Sequence, residues 1–162
     1  MAAYQTNAII LKRDDAFEAD RIYYLYTEEF GKVRALAGSV RKIDAKLTGH
    51  LEPFNLIWVE LATKKNGDLF ITTALSDKEF LNQNDSPVKT ALFFKMADFT
   101  CLMLKGSQKD EALWRYILES FIKAGCLVPS DEAGKFLNVY KAGFIKIMGF
   151  GDSLEEALWY NY

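Results

Sequence analysis

"FNLIWVELATKKNGDLFITTAL", residues Phe54 to Leu75, holds two runs rich in branched and aromatic residues on either side of Asn66-Gly67. Those runs favour extended backbone, and Asn-Gly is the strongest short signal for a tight hairpin because its turn needs positive φ. The stretch therefore reads as the last two strands of a β unit. Toward the amino terminus, "YQTNAIILKR", "RIYYLYT" and "KVRALAG" read as three more strands, separated by the turn signals "DDAF" and "EEFG". "SVRKIDAKLTGH", residues 39–50, has little period and reads as a loop. Five short strands fit a closed barrel better than an open sheet, whose edges would stay unpaired. The oligonucleotide/oligosaccharide-binding (OB) barrel has that strand count.

Beyond the hairpin the period changes. Ser86-Pro87 is an N-cap followed by proline at the first helical position, and a helical pattern runs on to Lys105, with apolar residues on most faces. A second helix carries Leu113, Trp114, Ile117, Leu118, Phe121 and Ile122 at helical spacing and stops at Gly125. A third starts near Ser130 and runs to Gly149, and Ser153 with Glu156 makes a capping-box pair for a last short helix. The expected fold is α+β: an OB barrel over residues 1–82, then a helical bundle over 83–162.

Composition narrows the function. The chain has 162 residues, half of them apolar, and a formal net charge of −2. It is long enough to bury a core without staples, and no apolar run reaches the roughly 20 residues of a membrane span. The start lacks the basic and apolar regions of a signal peptide, so a cytoplasmic location is expected. Cys101 and Cys126 stand apart and His50 is the single histidine, too little for a zinc site, so no metal is expected. There is no nucleophile elbow, Walker loop, dinucleotide fingerprint or HExxH motif, which leaves no catalytic residue, cofactor or small-molecule substrate to propose. Gly149-Phe150-Gly151 follows a helix and reads as a C-cap turn.

With an overall negative balance, any nucleic-acid role rests on a local patch. Lys32 and Arg34 alternate along the third strand and share a face; Arg41, Lys42 and Lys46 follow in the loop; Lys64 and Lys65 edge the hairpin. Cations so placed make a track for phosphates that does not read sequence. Tyr24 and Tyr26 share one face of the second strand and are candidate base platforms. The plainer readings stand beside these: a solvated basic loop, and strand tyrosines that pack. Trp58 and Trp114 divide likewise between exposed anchors and core, and His50 between a switch and a structural hydrogen bond.

The order of motifs resembles the RecO family of bacterial DNA-repair and recombination mediators. Glu18-Ala19-Asp20-Arg21 matches its Glu-x-Asp turn, and Thr27-Glu28 with Gly31 and Lys32 its next strand junction. Leu51-Glu52-Pro53-Phe54 matches Leu-x-Pro-Phe, and Met148-Gly149-Phe150 its helix-ending turn. The family's Lys-Gly-x-Arg loop is matched in part, with Ala37 where lysine is usual and Gly38 and Arg41 retained. The resemblance implies an OB fold with a helical domain and a non-catalytic protein. Such a protein binds single- and double-stranded DNA, anneals strands, and works with RecR and the single-stranded-DNA-binding protein, through that protein's C-terminal tail, to load RecA. Many relatives carry a zinc site in a further segment, and with the sequence stopping at Tyr162 that site is expected to be absent. The competing reading is an adaptor whose helical half docks RecR or such a tail, with Lys89, Lys95, Lys105 and Lys123 receiving its carboxylates.

Overall fold

One long strand closes the barrel. β1 (Ala3–Asp15) pairs through Ala3–Ile9 with β4 (Leu56–Thr63) and through Ala8–Asp15 with β2 (Arg21–Thr27), both antiparallel. A register shift between Ile10 and Lys12 bends the strand from one partner toward the other. β3 (Gly31–Ala37) pairs with β2, and β5 (Leu69–Ser76) pairs antiparallel with β4 and parallel with β3 at Ala35–Leu69 and Leu36–Phe70. The closed order β1-β2-β3-β5-β4 is that of an OB barrel. This computed structural model describes residues 2–16, 20–38, 47–77, 86–126 and 128–150. The chain packs as two compact units, Met1–Leu81 with Gly106–Lys109, and Asn82–Lys105 with Asp110–Tyr162.

Alternation decides what fills the barrel. Ala8, Ile10, Tyr23, Leu25, Val33, Ala35, Ile57, Val59, Leu61 and Ile71 point inward and are buried, small residues facing large ones. The Leu51-Phe54 motif serves this interior. Leu51 is fully buried in the core, Glu52 pairs with Arg13 at 3.0 Å, and the Phe54 N–H donates to the Ile10 carbonyl at 2.8 Å. Phe54 itself sits at φ 70, a left-handed conformation that a bulky residue adopts only when its surroundings fix it. His50 is structural: its Nδ1 accepts from the Ser76 N–H at 3.1 Å and so ties the incoming loop to the end of β5.

Two turns differ in what they demand. Asp14 and Asp15, expected to end the first strand, remain in it opposite Ile22 and Arg21. An Asp15–Arg21 hydrogen bond of 3.1 Å supports the added pairing. At the start of β3, Gly31 takes φ +67, and a Cβ there would collide with the backbone of Gln108. The 106–109 segment lies against that end of the barrel, where Lys109 also pairs with Glu29 at 2.7 Å.

The second unit has three helices among its described residues. α1 (Pro87–Met103) begins as expected, with the Ser86 hydroxyl accepting from the Lys89 N–H, and ends two residues before Lys105. Its interior residues include Leu92, Phe93, Met96, Phe99 and Met103. Phe94, Leu102 and Val88 are exposed, so the helix is not buried all round as its composition suggests. α2 (Glu111–Cys126) is capped by the Asp110 carboxylate, which accepts from the Leu113 N–H, and buries Trp114 and Phe121. After a 3-10 turn at Ser130–Glu132, α3 (Ala133–Ile147) brings Tyr140 into the core, its hydroxyl 2.7 Å from that of Thr100. Bonds from Phe150 N–H to Ile145 and from Gly149 N–H to Lys146, with Gly149 at φ 86, make a Schellman cap. That is the physical content of the Met148-Gly149-Phe150 motif. The expected last helix around Ser153 and Glu156 lies outside the described residues. Among those described, no helix is long and apolar enough to cross a membrane.

Candidate nucleic-acid interface

The residues that alternate out of the barrel define its surface. Cross-strand register sets Lys12 opposite Tyr24 and Tyr24 opposite Arg34, a row over β1, β2 and β3. One step along, Ile22 stands opposite Leu36 and Leu36 opposite Phe70, which carries the row onto β5. Two of these rings hold a cation: Lys12 Nζ lies 5.5 Å from the Tyr24 centroid and Lys64 Nζ 3.4 Å from that of Phe70. Lys12 also pairs with Asp14 at 3.3 Å, both side chains largely in water, where such a pair is worth about 0–1 kcal/mol. Arg34 is exposed and has no carboxylate partner among the described residues.

The two arginines nearby do other work. Arg13 is held by Glu52 and Arg21 by Asp15. Arg21 also bonds the Tyr23 hydroxyl, whose ring fills the core and whose phenol is pushed up by burial. Among the described residues, Arg34 is thus the arginine this side of the barrel presents to solvent.

Of the residues singled out from sequence, the structure places Lys32, Arg34, Tyr24 and Tyr26 on the outward side of β2 and β3 and exposes Lys64 and Lys65 in the β4–β5 turn. Tyr26 is 1% exposed, however, and offers no ring to a ligand in this state. Alternation assigned its side correctly, but it does not say whether that side is covered. Arg41, Lys42 and Lys46 lie outside the described residues, as do Glu18 and Ala19. Lys12 and Phe70 were missed. Lys12 follows the register shift, which breaks the simple alternation, and Phe70 meets β3 through a parallel pairing between strands far apart in sequence.

On the remaining outward side a carboxylate is already engaged by its neighbours. Gln5, Glu60 and Thr72 form one group, with the Glu60 carboxylate accepting from Gln5 at 3.1 Å and from Thr72 at 2.8 Å. Those two bonds, Thr72 first, hold the Glu60 carboxyl below its ordinary value of 4.5. A cavity of about 360 Å³ opens among Tyr4, Phe30, Leu61 and Leu69; no charged side chain lines it, and it is no part of the basic row.

The row suits a chain of alternating charge and flat rings. An ammonium over an exposed ring is worth about 0.5–1 kcal/mol. A nucleobase on such a ring is worth roughly 1–3 kcal/mol. In OB barrels the face of the second and third strands, with the loops after the first and fourth, is where oligonucleotides bind.

The sequence is similar to known proteins along most of its length. Residues 1–76 match the family model described as recombination protein O N terminal. A DNA repair protein RecO of Dehalococcoides mccartyi is 28% identical over 153 residues, 94% of this chain and 59% of that protein. A second from another strain is 33% identical over 117 residues, 72% of this chain and 46% of the relative. A DNA repair protein RecO of Cutibacterium acnes is 36% identical over 69 residues, 43% of this chain. The chain spans about half the length of the curated relatives it matches.

Proposed function

This chain is a RecO-like protein, its first 76 residues belonging to the RecO amino-terminal family, and from that premise we propose that it acts in DNA repair and recombination by holding DNA without reading its sequence. The observation that carries the reading is the row Lys12, Tyr24, Arg34, Phe70 and Lys64, in which cations and rings share one outward side of an OB barrel. Lys32 and Lys65 extend it, and Arg41, Lys42 and Lys46 are its expected continuation in the loop. Capture is electrostatic: each lysine or arginine that meets a phosphate releases condensed counterions, so affinity falls steeply with salt. Two strands held on one protein pair at a raised effective concentration, which is how annealing would follow without any catalytic residue or cofactor. RecR, the single-stranded-DNA-binding protein and the loading of RecA are the partners and outcome this role implies, at the nucleoid in the cytoplasm.

The test is fluorescence anisotropy of a labelled single-stranded oligonucleotide at roughly 50 and 200 mM salt. Binding at the lower salt that collapses at the higher is expected. A charge-reversed Arg34→Glu/Lys64→Glu protein that bound as well as the parent would remove the barrel side from the proposal.

A second reading has its own observation. Phe94, Leu102 and Val88 leave α1 exposed at 52%, 50% and 44%. Such surface suits a partner with apolar side chains, here a RecR subunit or an acidic-hydrophobic peptide tail. Binding of a tail peptide with no oligonucleotide binding at either salt would favour this adaptor role.

A further inference from the structure

We propose that α1 is a self-association surface on which a second copy of this chain docks, the two helices antiparallel about a two-fold axis. The inference rests on the helical unit alone and goes beyond the DNA-holding reading. Val88, Ala91, Phe94, Lys95, Asp98 and Leu102 are exposed, whereas Leu92, Phe93, Met96, Phe99 and Met103 are buried. At 3.6 residues per turn the exposed six fall in one stripe, about a third of the helix circumference. Val88, Ala91, Lys95, Asp98 and Leu102 succeed one another at steps of three, four, three and four residues, the spacing of a seam between two helices. Apolar residues lie at both ends of that seam, with a cation and an anion at its centre. Neither Lys95 nor Asp98 has an ion-pair partner among the described residues.

The central charges set both occupant and orientation. An acidic-hydrophobic tail would gain Lys95 but meet Asp98, whereas a stripe with one charge of each sign, less than a turn apart, is complementary to itself. In a parallel pair each seam residue meets its own copy, so Lys95 faces the partner's Lys95 and Asp98 the partner's Asp98. In an antiparallel pair with the axis passing between these two, Lys95 meets the partner's Asp98 and Leu102 the partner's Ala91, each twice by symmetry. A large side chain then lies on a small one. Phe94 borders the seam, and its two copies lie roughly 8 Å apart along the helices, close enough for the rings to pack across the axis. α1 has 17 residues and is about 25 Å long. One helix pair of that length stands at the low end of specific interfaces, below about 1,200 Å². The dimer is therefore weak, with Kd on the order of 100 μM, and the charges choose its register more than they hold it. On the DNA-holding reading such a dimer carries two barrels, so strands held on the two copies pair at a raised effective concentration.

Sedimentation equilibrium of the full chain from roughly 10 to 500 μM, with circular dichroism to confirm folding, tests the pairing. The parent should move from monomer toward dimer across that range. Lys95→Asp and Asp98→Lys should each associate at least about tenfold more weakly alone, because like charges then face each other. An equimolar mixture of the two should recover the parent's affinity, since each mixed pair sets aspartates against lysines. Lys95→Asp with Asp98→Lys in one chain should recover it as well, which neither a parallel pair nor a misfolded helix would do. Leu102→Lys should lose association in every combination. A parent that stays monomeric at the highest concentration would overturn the proposal. So would a double exchange that fails to associate, or single variants that dimerise as the parent does. An acidic-hydrophobic peptide that binds a monomeric parent, and no longer binds Leu102→Lys, would overturn it too and reassign the face to a peptide partner.

Discussion

The barrel has two outward sides built by the same alternation and chemically opposite. On one, Gln5, Glu60 and Thr72 satisfy one another within hydrogen-bond distance. On the other, Lys12, Arg34 and Lys64 stand among the Tyr24 and Phe70 rings, and Arg34 has no carboxylate partner among the described residues. Exposure alone does not separate them. What separates them is the sign of the charge and its company: the Glu60 carboxylate is held by two neutral donors, whereas Arg34 stands exposed without a carboxylate partner among the described residues, where an anionic ligand can reach it.

Both sides depend on one interior, so the largest effect comes from removing it. Leu51→Ala should lower stability by about 2–5 kcal/mol in a urea titration, because Leu51 is fully buried in the core and the cavity left behind adds to the lost transfer energy. A loss under about 1 kcal/mol would mean the motif does not plug the barrel. The next variant separates the sides. Arg34→Glu with Lys64→Glu should weaken single-strand binding roughly thirtyfold at low salt, while Glu60→Lys on the other side should change it by less than about threefold. Equal losses from the two would show that only net charge matters and that the sides are not distinct. A smaller effect sharpens the point: Lys64→Ala should cost a few-fold in affinity and reduce the slope of log affinity against log salt by about 1, uniformly across sequences.

How much of this was legible in advance follows from the range of the interactions. Residues 21–27 were readable as a strand and Asn66-Gly67 as a turn because period and turn chemistry are local. Ser86-Pro87 marked the start of α1 for the same reason. Asp14 and Asp15 misread as a turn because Arg21 holds the second of them in the strand, a partner that local propensity does not include. Much of the candidate site was visible from local alternation and turn position, as Tyr24, Lys32, Arg34, Lys64 and Lys65. Lys12 and Phe70 were not, since only the register shift in β1 and the parallel β3–β5 pairing bring them to the same side. α1 shows the opposite difficulty: apolar on most faces, it gives no period from which Phe94 could be told from Phe93, and the structure buries one and exposes the other.

The smallest expected effect tests the Glu60 side directly. The bonds from Thr72 and Gln5 are made to the charged carboxylate, so they hold the Glu60 carboxyl below 4.5, its ordinary value. A group with a depressed folded-state value contributes stability that is present above its unfolded value and is lost as pH falls through the folded one. Glu60 therefore adds to stability at neutral pH and ceases to do so in acid, below pH 4.5. Glu60→Gln can still accept from Thr72 but carries no titrating charge. Its urea midpoint should sit slightly below the parent's at pH 7, and the two should converge as pH is lowered from 5 toward 3, a contrast small because the group is in water. A gap that stayed constant over that range would mean the Glu60 charge is not held by its neighbours. The side would then be as open to an incoming cation as the other is to a phosphate, and the contrast between the two would rest on sign alone.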